Sequence, residues 1–71
     1  MKTFKIRYHV YEMCKKKNIS IRELGRQSGL SHTTINNIER GIKDPTVYTL
    51  CLLSLALDVS PYRLFSMDTF V

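Results

Sequence analysis

The chain has 71 residues, a formal net charge of +5 and a pI near 9.5. That length allows one small domain with a marginal core, and the basic balance favours a polyanionic partner. Cys14 and Cys51 make no disulfide framework, His9 and His32 lack metal-site spacing, and the longest apolar run, Leu50 to Leu57, is broken by Ser54 and too short for a bilayer. No signal-peptide run follows Lys2, Lys5 and Arg7, so a cytoplasmic protein with no cofactor, metal or membrane partner is expected.

Five helices and no strand are expected. Helix 1 is placed from about Phe4 to Lys17, because Ile6, Val10, Met13 and Cys14 recur at helical spacing and three lysines close the last turn. Residues 3 to 11 are rich in β-formers, so a short strand competes there, and the period running on to Cys14 decides for the helix. Ser20, with Glu23 three residues on, reads as a capping box opening helix 2 over residues 21 to 28, and Gly29 stops it. Ser31 caps helix 3, residues 32 to 40, whose Ile35 and Ile38 form the buried seam; Gly41 and Asp44-Pro45 mark the loop behind it. Thr46 opens helix 4, which reaches Leu57, and Ser60-Pro61 opens a closing helix 5 over residues 61 to 66. The tail, residues 67 to 71, has no evident state.

Two short helices around a glycine-containing turn are the helix-turn-helix pattern, in which the second helix enters the major groove. The anchors Ser20, Glu23-Leu24, Gly29-Leu30-Ser31, Ile35, Ile38 to Gly41, Pro45, Leu50, Ala56-Leu57, Val59-Ser60 and Leu64-Phe65 make residues 6 to 66 resemble the phage repressor and Cro, or Xre-type, regulators. The resemblance implies an all-α, five-helix, lambda-repressor-like single domain that binds a double-stranded operator as a homodimer and represses transcription. It places the base readers at His32, Thr33 and Asn37, with Asn36 joining them if the helix tilts that way. Histidine can donate to guanine, threonine can touch a thymine methyl, and asparagine can pair with adenine on two edges. Phosphate contacts are implied at Ser20, Ile21 and Arg22 at the start of helix 2, at Ser31, and at Arg40, Gly41 and Lys43; Arg26 is a further candidate. No arginine or lysine holds a reading position, so modest specificity with a contribution from DNA shape is expected.

The chain departs from the family pattern at four places. Ile21 replaces a polar residue, Gly25 an alanine, Cys14 an arginine that pairs with the glutamate of helix 3 (here Glu39), and Ile42 a basic residue. Helix 4 also carries a second apolar stripe, Tyr48, Leu52 and Leu55, opposite its core stripe. Either the tail (Phe70, Val71) and helix 1 cover it, or a partner does, and a second subunit is the favoured reading. The alternative function is an antitoxin or accessory factor whose main role is binding a protein partner. An enzyme is not expected: no Cys–His pair, carboxylate pair or glycine-rich phosphate loop is present.

Overall fold

The segment expected to open helix 1 is a strand. A computed structural model describes residues 3–70, and in it strand β1 (Thr3–Tyr8) pairs antiparallel with strand β2 (Phe65–Phe70). Tyr8 lies opposite Phe65, Ile6 opposite Met67 and Lys5 opposite Asp68. The all-α, five-helix expectation is therefore wrong: the described residues form four α-helices, one 3-10 turn and a two-stranded sheet. The physical reason lies in the period. Phe4, Ile6 and Tyr8 alternate with Lys5 and Arg7, and Phe65 and Met67 alternate with Ser66 and Asp68, so both segments present one apolar and one polar face. Ile6 joins the apparent helical series by coincidence. The expected helix 5 shrinks to the turn Pro61–Arg63, capped by the Ser60 hydroxyl on the Tyr62 N–H at 3.3 Å, and β2 takes over at Phe65.

Helix α1 is thus short, Val10–Lys17, and ends on Asn18 in the left-handed conformation. Helix α2 spans Ile21–Ser28, α3 spans His32–Glu39 and α4 spans Val47–Leu57. Each of these three opens on a hydroxyl cap: Ser20 accepts from the Glu23 N–H, Ser31 from Thr34 and Thr46 from Thr49, at 3.0 to 3.1 Å. Only half of the expected capping box forms, because the Glu23 carboxylate turns away to Arg26 and Gln27. Gly29, at φ 76°, occupies the left-handed position that lets α2 end and the chain turn into α3.

The core gathers Tyr8 from β1, Val10, Met13 and Cys14 from α1, Leu24 from α2, Ile35 and Ile38 from α3, Leu53 and Leu57 from α4, and Leu64 just before β2. Packing explains the glycine in α2, since a Cβ on Gly25 would sit 3.0 Å from the carbonyl oxygen of Leu30 in the inter-helix turn. Cys14 is buried and its thiol is pushed up by that burial, with Glu39 adding to the shift; both cysteines are free. The end of β1 and the start of β2 are joined where the His9 N–H donates to the Leu64 carbonyl at 2.8 Å and His9 Nε2 bonds Ser66 Oγ at 2.8 Å. Among the described residues no helix is long and apolar enough to cross a membrane.

Candidate nucleic-acid interface

Ser31 sets the rotation of α3 by fixing its first turn, and each residue then advances about 100° around the axis. Ile35 and Ile38 are buried and define the inward direction. Thr33, Asn37 and Arg40 consequently lie on the opposite side, with His32 and Asn36 on one flank. His32, Thr33 and Arg40 are exposed, whereas Asn36 and Asn37 are half-buried. His32 shares a cleft of about 430 Å³ with Ile21, Arg22, Gly25 and Arg26, so the starts of α2 and α3 converge. Asn37 shares another, of about 310 Å³, with Thr34, Lys43, Asp44 and Thr46. Its carbonyl also accepts the Ile42 N–H at 3.0 Å, which folds the loop back over the end of α3.

Helix α1 and strand β1 brace this face through contacts that sequence reasoning missed. The Tyr11 hydroxyl donates to Asn36 Oδ1 at 2.7 Å, leaving the amide nitrogen of Asn36 as its remaining donor. Glu39, left without the arginine partner that the family resemblance implied, accepts the Tyr11 N–H at 3.1 Å and thereby caps the start of α1. The Tyr8 hydroxyl donates to Asp44 Oδ1 at 2.8 Å and so ties β1 to the loop after α3. Burial, followed by this hydrogen bond and the negative charge of Asp44, pushes the Tyr8 phenol up to about 12 from its ordinary 10.0.

A folded-state value above the unfolded one means that the stabilising contribution is complete below pH 10 and is lost as pH rises through about 12. Urea melts over that window are expected to show stability falling for the native chain. The same melts of Tyr8→Phe should lack this part of the alkaline loss and start from a lower stability at neutral pH.

The implied phosphate ligands divide into two groups. Ser20 and Ser31 spend their hydroxyl oxygens on helix caps, which leaves the hydroxyl hydrogen of Ser20 and the outermost N–H groups of Ile21 and Arg22 at the open end of α2. Arg22, Arg40, Gly41 and Lys43 are exposed, and Gly41 takes φ 73° to end α3. Arg26 is held instead by the Glu23 carboxylate, Nε to Oε2 at 2.6 Å, which keeps the Glu23 carboxyl below its usual range.

On α4 the second apolar stripe remains uncovered. Tyr48 is 73% exposed and Leu55 80%, with Val47 beside them at 76%; Leu52 and Cys51 are half-buried. Val71 and the side chain of Phe70 lie outside the described residues.

The chain matches the helix-turn-helix family model over residues 10–64. No curated protein matches it in sequence. Among solved structures it is similar to the restriction-modification controller protein C.AhdI from Aeromonas hydrophila, at 28% identity and TM-score 0.71, with 76% of this chain and 82% of that one aligned. It is also similar to SinR, the Bacillus subtilis master regulator for biofilm formation, in its complex with DNA: 29% identity, TM-score 0.70, 76% of this chain and 87% of that one. A Bacteroides fragilis structure covers 87% of this chain and 100% of its own at 22% identity and TM-score 0.77, which speaks for the fold alone.

Proposed function

The chain belongs to the Xre-type helix-turn-helix family of DNA-binding transcription regulators, and from that membership we propose that it is a repressor acting as a homodimer on a pseudopalindromic operator. The observation that carries the reading is the outward face of α3. Thr33, Asn37 and Arg40 share it, His32 flanks it, and basic residues bound both ends: Arg22 near the start of α2, Arg40 and Lys43 behind α3. His32, Thr33 and Asn37 read base edges, and Asn36, fixed through its oxygen by Tyr11, offers its amide nitrogen at the edge of that set. Ser20, Ile21, Arg22, Ser31, Arg40, Gly41 and Lys43 contact the backbone. SinR in its complex with DNA supports DNA as the ligand.

Dimerisation supplies what a single short helix lacks. Two copies joined through Val47, Tyr48, Leu52 and Leu55 bury an apolar face that is otherwise left in water, and together they read two half-sites whose centres lie about 34–36 Å apart. Occupying the site excludes polymerase. This work is done in the cytoplasm, and occupancy follows the protein's concentration.

The test is selection of duplexes from a random pool by the full chain near physiological salt. A two-fold symmetric site is expected, and His32→Ala, Thr33→Ala and Asn37→Ala should each cost about 1–3 kcal/mol and relax preference at a separate position. Salt-sensitive binding with no enriched site would defeat the operator reading. The exposed α4 face favours one second reading, an antitoxin or accessory factor that binds a different protein there. A chain that sediments as a monomer at high concentration would move that reading to first place.

A further inference from the structure

We propose that the β1–β2 ribbon carries a second phosphate-contact strip, formed by Lys5 and Arg7 with Arg40, that grips the DNA backbone flanking the site read by α3. The inference rests on the DNA-binding reading above and extends it to an element outside the helix-turn-helix. Lys5 and Arg7 alternate with the apolar residues of β1, so both project from the polar face of the ribbon, about 7 Å apart along the strand. With His9, Glu39, Arg40 and Gly41 they line an open cleft of about 390 Å³ between the strand and the end of α3. That cleft is continuous with the loop whose Gly41 and Lys43 are assigned to phosphate.

Charge and rigidity both fit an anionic backbone. Two carboxylates approach the cleft, and both are partnered: Glu39 Oε1 accepts the Tyr11 N–H, and Asp68 Oδ2 holds Arg7 Nε at 2.8 Å. The second contact aims Arg7, whose terminal guanidinium nitrogens remain available, while Lys5 and Arg40 form no ion pair among the described residues. The strand is not a loose arm. Tyr8 pins its C-terminal end to Asp44 in the loop, the adjacent His9 pins the same end to Leu64 and Ser66, and pairing with β2 along its length fixes the rest relative to that anchor. Preset geometry of this kind positions a duplex without adding base readout.

The test compares the full chain with Lys5→Ala and with the double variant Lys5→Ala/Arg7→Ala, measuring affinity against salt on two duplexes. One carries the selected site with several flanking base pairs on each side; the other ends at the site. On the long duplex the slope of log affinity against log salt is expected to shrink by about 1.8 for the single and about 3.6 for the double variant, since each dimer carries every contact twice, with base preference unchanged. On the short duplex the three proteins should have equal slopes. Arg7 shares a surface ion pair, so thermal melts accompany the double variant; Lys5→Ala breaks no ion pair and stands as the independent check. Equal slopes on the long duplex would overturn the proposal. The operator reading fails separately, through loss of enrichment or indifference to Asn37→Ala, and the slopes can then still be read on a random duplex.

Discussion

Charging the α4 face with Tyr48→Lys and Leu55→Lys together is expected to leave a folded chain that no longer pairs and that binds its operator about 10²–10⁴ times more weakly. Both side chains are more than 70% exposed, so neither substitution touches the core, and the helical signal and melting temperature should change little. The loss of affinity has a separate origin. In a dimer the second half-site is bound intramolecularly, at an effective concentration set by the linked subunits, and a monomer forfeits that advantage. Sedimentation velocity and titration of a full and a half operator distinguish the two effects. The native chain should prefer the full site strongly, whereas the variant should bind half and full sites alike per half-site. An unfolded variant would instead place Tyr48 and Leu55 inside the structure, against their exposure.

Leu24→Ala is expected to act in the opposite way, removing the fold and with it all specific binding. Leu24 is fully buried where α2 packs on α3 and α4. Truncating such a leucine costs about 2–5 kcal/mol through lost transfer energy and the cavity left behind. A domain of 71 residues has about 4–11 kcal/mol in total, at roughly 0.05–0.15 per residue. The melting temperature should therefore fall by at least about 10 °C, and a large part of the population should be unfolded at 37 °C. Leu55→Ala, the same deletion at an exposed site, should move the melting temperature little at low protein concentration. A Leu24→Ala chain that melts like the parent would show that the α2–α3 unit does not depend on this anchor.

The helix-turn-helix was legible because its signals are local. Ser20 and Ser31 each cap the helix that follows, Gly29 takes the left-handed position between them, and Ile35 and Ile38 fix which face of α3 turns inward. The sheet was not legible, for two reasons. Tyr8 and Phe65 meet across 57 positions of chain, so the partner that makes residues 3 to 8 a strand is invisible in that window. Ile6 also happens to continue the helical series of Val10, Met13 and Cys14, and Ser60-Pro61 is a true helix start that runs for only three residues. The same limit applies at the interface. The pattern named the outward positions of α3, but the braces Tyr11–Asn36, Tyr11–Glu39 and Tyr8–Asp44 join residues 25 to 36 apart and have no local signature. One hint was present: the resemblance implied an arginine where Cys14 stands, which left Glu39 in need of a partner, and the otherwise unpaired Tyr11 N–H at the start of α1 supplies it.

Whether α3 reads sequence in a two-fold complex is decided by hydroxyl-radical footprinting of the full chain on a duplex enriched by selection. Two protected patches related by two-fold symmetry, with centres about one helical turn apart, are expected, and an Asn37→Ala variant should lose protection on that duplex while keeping its weak binding to random DNA. Uniform protection along the duplex, unchanged by Asn37→Ala, would contradict both expectations and leave α3 without a role in reading sequence.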